Sequence, residues 1–173
     1  MVKLVVADDE ERVCRLIVAL GNWEELGIKV VGTAANGIQA LELIRKEKTD
    51  ILITDIRMPG LNGLELIEKV REISPDIKIM IISGYANFEY AQNALKQGVS
   101  DYLLKPINKD ALNESLTKMV NQIETARRTD MAFRISRMNG GKNLSSSEIC
   151  SFMICVMTDR LDCRKIFCER NII

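Results

Sequence analysis

The chain has 173 residues, enough for one domain of ordinary size with an additional segment but too few for two full domains. Lysine and arginine together number 24, as do aspartate and glutamate, so no whole-chain charge imbalance favours nucleic acid, a membrane surface or an acidic substrate. The absence of histidine excludes the commonest general base, the Ser-His-Asp and Cys-His nucleophile systems and histidine-ligated metal sites.

The apolar stretches are too short for a secretory signal or a membrane span. The run near the amino terminus ends at Asp8 and Asp9, and the stretch from Ile149 to Met157 falls well short of the roughly 20 residues that a spanning helix needs. The cysteines are odd in number and lack the paired CxxC spacing of zinc ribbons, so we interpret them as reduced thiols. We therefore expect a soluble, cytoplasmic protein with no membrane partner.

Short apolar runs alternate with helical patterns along the first 125 residues. The runs are four to six residues long and rich in β-branched side chains, which is typical of buried strands in a parallel sheet. The predicted strands are Lys3 to Ala7, Ile28 to Gly32, Ile51 to Thr54, Ile77 to Ile82 and Asp101 to Leu104.

Apolar residues between these runs repeat every three or four positions, which predicts helices with one apolar face. Asn36 and Asn108 are predicted N-caps, Gly98 is the predicted terminating glycine of the fourth helix, and Pro75 is expected to stop the third. The five apolar sets begin at Val13, Ile38, Leu64, Phe88 and Leu112.

Five βα units in sequence predict a doubly wound α/β fold, with a five-stranded parallel sheet covered by helices on both faces. The alternation stops after about Arg128. We therefore expect a domain over residues 1–125 and a C-terminal tail over 126–173, which extends the last helix, covers the domain or pairs two chains.

Polar residues follow four of the predicted strands. Asp8 and Asp9 follow the first, Asp55 the third, Ser83 the fourth and Lys105 the fifth. In open α/β sheets, ligands bind in the crevice outside the carboxyl ends of the strands. We therefore expect these side chains to meet in one site.

The residue types at these strand ends indicate phosphoryl chemistry. Three carboxylates in one crevice repel one another unless a cation lies among them, and Mg²⁺ prefers such oxygen ligands. Asp55 is the candidate nucleophile that would form an aspartyl phosphate. Lys105 would offer a positive charge and Ser83 a hydroxyl donor to the phosphoryl oxygens.

Each residue also has an ordinary structural interpretation when taken alone. An acidic pair after a strand often begins and caps a solvated helix, and Asp55 could simply form a turn before Met58, Pro59 and Gly60. The hypothesis of a functional site rests on the joint occurrence of the residues at the strand ends.

The segments VVADDEE, ITDIRMPGLNGLEL, MIISGYA and DYLLKP resemble, in order and spacing, the motifs of the receiver domain of two-component response regulators. The resemblance covers roughly residues 1–125. It implies a flavodoxin-like sheet with strand order 2-1-3-4-5. It also implies a signalling domain that catalyses only its own phosphorylation and dephosphorylation, with a sensor histidine kinase as its partner.

The resemblance assigns roles to individual residues. Asp55 would be the phosphoacceptor, and it would bind Mg²⁺ with Asp9, with Asp8 close by and with the backbone carbonyl of Arg57. Lys105 would be the charge partner of the phosphoryl group.

The family's switch residues match as well. Ser83 would be the switch hydroxyl and Tyr102 the switch aromatic, although Tyr102 could instead be a packed residue at the edge of the sheet. The resemblance implies a cis peptide bond before Pro106. We expect Gly63 to serve the turn in front of the third helix.

Two longer segments indicate the kind of effector domain that the receiver would control. NWEELGIKVVGTAANGIQALELI and SGYANFEYAQNALKQGVSDYLLKPI are similar to receivers that precede DNA-binding domains of the arabinose-regulator type. The resemblance implies dimerisation on phosphorylation through the fourth helix, fifth strand and fifth helix. Residues 126–173 are too few for a complete effector domain, so DNA would be contacted only through a domain absent from this chain.

Three other functions are suggested by parts of the sequence. The segment from Gly32 to Gly37 lacks the Lys-Ser/Thr pair of a phosphate-binding P-loop. A phosphatase of the haloacid dehalogenase type needs a second acid two residues after the nucleophile, where this chain has Arg57. A docking module that works without phosphorylation stays open as the alternative function.

Overall fold

The structure is a computed structural model that describes residues 1–84 and 97–138. Contacts between Cα atoms divide the chain into two units, Met1–Glu124 and Thr125–Ile173. The first unit contains a five-stranded sheet. The strands are β1 (Val2–Ala7), β2 (Ile28–Ala34), β3 (Ile51–Thr54), β4 (Lys78–Ser83) and β5 (Asp101–Leu104).

All neighbouring strands are parallel, in the order β2-β1-β3-β4-β5. The predicted strand order is therefore confirmed. Each predicted strand is present, and its limits agree with the prediction to within two residues.

Four helices lie within the described residues. They are α1 (Glu11–Leu20), α2 (Gly37–Glu47), α3 (Gly63–Ile73) and α4 (Lys109–Met138). The fourth helix predicted from sequence, around Phe88 to Leu95, lies outside the described residues, so α4 is the helix predicted as the fifth.

The two faces of the sheet carry separate apolar cores because successive strand residues point to opposite faces. In β1, Leu4 and Val6 belong to one core and Val5 belongs to the other, and all three are fully buried. The first core includes residues of α1 and α4, whereas the second includes residues of α2 and α3. Helices therefore cover both faces, which confirms the predicted doubly wound class.

The predicted helix boundaries are confirmed where they are described. Asn36 Oδ1 accepts the Gln39 N–H at 3.0 Å, and Asn108 Oδ1 accepts the Asp110 N–H at 2.8 Å. The third helix ends at Ile73, before Pro75. Gly98 has a left-handed φ of 70°, although the helix that it was predicted to terminate is outside the described residues.

The last helix is longer than its apolar pattern. The periodic residues of that pattern end at Ile123, yet α4 continues to Met138, which includes the first residues of the second unit.

Among the helices between residues 1 and 138, leaving out 85–96, none combines the length and hydrophobicity that crossing a bilayer requires.

Candidate phosphoryl-transfer site

Four strands end at the same edge of the sheet and bring the predicted site residues there. Asp8 follows β1, Asp55 follows β3 and Lys105 follows β5, while Ser83 is the last residue of β4. The backbone pairing of the sheet continues through the three charged residues. The N–H groups of Asp8 and Asp55 donate to neighbouring strands at 3.0 and 2.9 Å, and that of Lys105 donates to the Ser83 carbonyl at 2.9 Å. The sheet therefore fixes the backbone of the site.

Three carboxylates form a cluster at this edge. Oxygen atoms of Asp8, Asp9 and Asp55 all lie within 4.8 Å of one another. Asp8 and Asp55 are buried, with 1% and 8% of their surface exposed, whereas Asp9 is exposed. Asp9 is therefore the member of the cluster that is most accessible to solvent.

Lys105 joins the two buried carboxylates. Its Nζ lies 2.9 Å from Asp8 Oδ2 and 3.3 Å from Asp55 Oδ2. Charge-assisted hydrogen bonds of this kind are stronger than neutral ones, and burial reduces their screening by solvent. The ammonium group therefore neutralises part of the negative charge at this edge.

Burial and charge oppose each other at this pair. Burial raises the pKa of the Asp8 carboxyl above its usual value, and the hydrogen bonds from Lys105 and from the Glu10 N–H only partly offset this effect. For Lys105, burial alone would lower the pKa, but the hydrogen bond to Asp8 and the nearby charge of Asp55 raise it overall. Lys105 is therefore charged at neutral pH.

The donor set of the cluster fits a hard divalent cation. Carboxylate oxygens are the ligands that Mg²⁺ prefers, and the exposure of Asp9 leaves room for the water ligands that Mg²⁺ usually keeps. Arg57 is exposed and lines a cleft that also includes Asp9 and Met58. The predicted contribution of the Arg57 carbonyl to metal binding stays a prediction.

The loop after β3 holds the Asp55 side chain. Asp55 Oδ1 accepts the Ile56 N–H at 2.7 Å, and the Thr54 hydroxyl donates to the Asp55 carbonyl at 2.9 Å. Gly63 donates its N–H to the Ile56 carbonyl at 2.8 Å. A Cβ atom at Gly63 would collide with the Asp55 carbonyl.

The close approach explains how Gly63 serves the turn in front of α3. Gly63 is the first residue of α3, and the left-handed φ of 76° in this loop belongs to Gly60. Glycine is therefore required at position 63 because backbone atoms approach closely, not because a turn needs an unusual φ.

Replacing Gly63 by alanine is expected to destabilise the domain by about 1–3 kcal/mol, because the methyl group has only backbone atoms to displace. Gly32→Ala is the matched control, because its Cβ would meet a Leu43 methyl group at 3.1 Å and that side chain can move. Urea unfolding of both variants measures the effect. Equal midpoints for Gly63→Ala and the native chain would contradict the packing argument.

The predicted switch residues lie on β4 and β5. Ser83 is fully buried, and Tyr102 is partly buried against the core on the α2–α3 face. Tyr102 pairs with Ile81 in the sheet. The peptide bond between Lys105 and Pro106 is cis, which confirms the prediction. The roles of Ser83 and Tyr102 as switch residues stay predictions.

Sequence reasoning did not assign Glu10 and Cys14 to the surroundings of this site. The Glu10 N–H donates to Asp8 Oδ1 at 2.9 Å, and Glu10 Oε1 lies 4.0 Å from Lys105 Nζ. The Cys14 thiol donates to the Asp8 carbonyl with an Sγ to oxygen distance of 3.6 Å, and burial raises the pKa of this thiol. The run of four acids from Asp8 to Glu11 after β1 is the sequence signal that could have indicated Glu10.

The sequence of residues 4–117 matches the family model described as the response regulator receiver domain. The match covers most of the first unit and includes Asp8, Asp9, Asp55, Ser83 and Lys105. The chain therefore belongs to the response regulator receiver domain family, whose members are signalling phosphoacceptor domains. The family predicted from the motifs is confirmed.

Related proteins agree with this classification. The chain is 41% identical over 124 residues to the uncharacterized transcriptional regulatory protein YesN of Bacillus subtilis, covering 72% of this chain and 34% of YesN. It is 33% identical over 123 residues to the transcriptional regulatory protein HptR of Staphylococcus aureus, covering 71% of this chain and 48% of HptR. The matched region thus spans less than half of either relative.

A solved structure has the same fold. The REC domain of AraT, a response regulator from Geobacillus stearothermophilus, superposes with a TM-score of 0.70 at 38% sequence identity. The match covers 73% of this chain and 99% of that domain.

Proposed function

We propose that this receiver takes a phosphoryl group from a sensor histidine kinase onto Asp55 and thereby changes conformation. The observation that carries the proposal is the bridge that Lys105 Nζ forms between Asp8 and Asp55, beside the exposed carboxylate of Asp9. A nucleophilic carboxylate, a cation-binding acid pair and a fixed ammonium group are the components that phosphoryl transfer requires. The alternative of a phosphorylation-independent docking module is not favoured, because it gives these residues no reason to meet.

The proposed step exchanges one bond to phosphorus for another. A carboxylate oxygen of Asp55 forms the new bond, and the bond from phosphorus to the leaving atom of the donor breaks with its electron pair. The leaving atom is a histidine nitrogen of the kinase, or an acetate oxygen when acetyl phosphate is the donor. Lys105 remains protonated and donates to a phosphoryl oxygen. The protein contributes mainly position and charge, as in other phosphoryl transfers.

Asp8, Asp9 and Asp55 would hold Mg²⁺, together with the backbone carbonyl of Arg57. When bound, the cation would neutralise the negative charge that the phosphoryl oxygens bring to the carboxylates. The carboxylate cluster supports this assignment because its oxygens all lie within 4.8 Å of one another.

Removing Mg²⁺ is expected to stop phosphorylation of the native chain. Incubation with acetyl phosphate and Mg²⁺, followed by intact mass spectrometry, should show the gain of one phosphoryl group, and the gain should disappear when EDTA is present. Ca²⁺ in place of Mg²⁺ is a control that separates a requirement for the smaller, octahedral cation from a requirement for any divalent cation. A failure to gain mass under every condition would exclude the switch and support the docking module.

Phosphorylation would change the surface that includes β5. We propose that Ser83 and Tyr102 respond to the phosphoryl group and rearrange the surface formed by the helix predicted as the fourth, β5 and α4. Two chains would form a dimer through this surface. The location of both residues on neighbouring paired strands supports this coupling. Analytical ultracentrifugation with and without acetyl phosphate tests the dimer.

We infer that the output is transcription. The names of YesN and HptR describe transcriptional regulators, and a two component transcriptional regulator AraC from Clostridium phytofermentans has a similar fold, with a TM-score of 0.66 at 26% identity. These similarities support a receiver of the type that precedes arabinose-regulator DNA-binding domains.

The domain boundary follows from the same proposal. Residues 1–125 would form the receiver and 126–173 a helix extension and linker, with DNA bound by a domain outside this segment. The protein would act in the cytoplasm as a signalling switch and not as an enzyme with a separate substrate.

A further inference from the structure

Arg71, on α3, donates hydrogen bonds to backbone carbonyls of two separate chain segments. Its Nη1 donates to the carbonyls of Pro75 and Ile77, both at 2.7 Å. Its Nε donates to the carbonyl of Gln97 at 3.3 Å, and its Nη2 donates to that of Gly98 at 2.6 Å. One guanidinium group therefore joins the turn before β4 to the turn before β5.

A second side chain of α3 holds the same turn. Gln97 Nε2 donates to Glu68 Oε1 at 2.9 Å, and Glu68 precedes Arg71 on α3 by about one helical turn. The turn before β5 is thus attached to α3 at two points.

Arginine suits this position for reasons of geometry and charge. Burial lowers the pKa of the Arg71 guanidinium, and the charge of Asp76 opposes this change, but an arginine in a protein keeps its proton. The planar guanidinium presents its N–H donors in fixed directions, whereas a lysine ammonium is a compact charge at the end of a flexible chain. Lysine could not reproduce all four of these hydrogen bonds.

β5 depends on such anchoring more than the inner strands do. It has only four residues, lies at the edge of the sheet and is partly exposed along its length. Its register with β4 runs from Met80 and Asp101 to Ser83 and Leu104. Lys105 follows directly, so a displacement at the start of β5 is passed along a short strand to the ammonium group.

We propose that Arg71 is a positioning residue for phosphoryl transfer, because it fixes the start of β5 and thereby the place of Lys105 between Asp8 and Asp55. The inference rests on the proposed function. Arg71 lies near the end of α3, and its four hydrogen bonds reach the turns at the amino ends of β4 and β5. The site lies at the other end of these strands.

The position of the metal ligands makes the inference testable. Asp8 and Asp9 follow β1 and Asp55 follows β3, and the four hydrogen bonds of Arg71 go to neither strand. A positioning role for Arg71 should therefore lower the transfer rate through Lys105. Mg²⁺ affinity should stay nearly unchanged, because a small displacement of Lys105 keeps its charge beside the carboxylates, unlike the removal of that charge. A general loss of structure would lower both quantities together.

The experiment compares Arg71→Lys with the native chain. Phosphorylation by acetyl phosphate is followed by intact mass at saturating Mg²⁺, and the Kd for Mg²⁺ is measured separately by isothermal titration calorimetry. We expect the maximal rate to fall by at least about fivefold, because displacements of about 1 Å have large effects on rate. We expect the Kd for Mg²⁺ to change by less than about twofold.

Two further variants complete the test. Arg45→Lys makes the same change at an exposed position of α2 and should alter neither quantity. Glu68→Ala removes the second attachment of the turn and should lower the rate in the same direction by a smaller factor. It decides the question if Arg71→Lys does not fold.

The outcomes separate the two proposals. If the native chain is phosphorylated and Arg71→Lys reacts at the rate of Arg45→Lys, the positioning role is wrong and the proposed function stands. A parallel fall in rate and Mg²⁺ affinity would also overturn the positioning role. If the native chain gains no phosphoryl group, the proposed function fails and the inference fails with it.

Discussion

Replacing Asp55 by asparagine is expected to abolish phosphorylation while leaving the domain folded. The amide has nearly the size of the carboxylate, and its oxygen can still accept the Ile56 N–H that Asp55 Oδ1 accepts at 2.7 Å. It carries no negative charge, and it is a poor nucleophile towards phosphorus. We therefore expect no gain of a phosphoryl group by intact mass, from either a histidine kinase or acetyl phosphate.

The stability of Asp55→Asn provides a second test of the site. Burial is the main cause that raises the pKa of Asp8, and the charge of Asp55 adds to it. Removing that charge relieves repulsion between two buried acids, while Lys105 loses one of its two close partners. We expect these effects to offset each other and the free energy of unfolding to change by less than about 1 kcal/mol.

Glu42→Gln is the matched control for this loss, because it also replaces a carboxylate by an amide. Glu42 is exposed on α2. This variant should be phosphorylated at the native rate. Phosphorylation of Asp55→Asn at the same site and rate as the native chain would refute the assignment of the phosphoacceptor.

The sheet could be predicted from sequence because its strands are short, buried and separated by periodic helices. β3 is buried at all four positions and its limits were predicted without error, because three apolar β-formers are followed by a β-branched threonine just before Asp55. The parallel order then brings the strand ends to one edge. This is why Asp8, Asp55 and Lys105 could be predicted to meet.

Other features depend on contacts that no local pattern carries. Lys105 was predicted as a partner of the phosphoryl group, yet its shorter contact in this structure is to Asp8 at 2.9 Å. The requirement for Gly63 comes from the backbone of Asp55, eight positions earlier, and not from its own φ.

An extension of the last helix was among the expectations for the tail, but its course to Met138 and the hydrogen bonds of Arg71 were not predicted. α4 continues past Ile123 to Met138, where backbone hydrogen bonding continues without the apolar period on which the prediction relied. Arg71 donates hydrogen bonds to backbone carbonyls. Every residue has a backbone carbonyl, so the pattern of side chains cannot indicate its partners.

Replacing Lys105 by alanine is expected to slow phosphoryl transfer by about 10²–10³-fold, the usual effect of removing a fixed donor from developing negative charge. The same change should strengthen Mg²⁺ binding, because the ammonium group no longer competes for the carboxylates of Asp8 and Asp55. A rate that falls while metal affinity rises distinguishes the loss of a charge partner from damage to the metal site. Intact mass and calorimetry measure the two quantities.

Dimerisation should be lost in Lys105→Ala even after phosphorylation is driven to completion. The phosphorylated Asp55 then has no ammonium group to attract, so β5 is not displaced. Lys46→Ala, at an exposed position of α2, is the matched control and should keep the native rate, metal affinity and dimerisation. If Lys105→Ala dimerised fully on phosphorylation, the coupling of Asp55 to β5 would have to pass through Ser83 alone, since β4 is the strand that pairs with β5 beside the site.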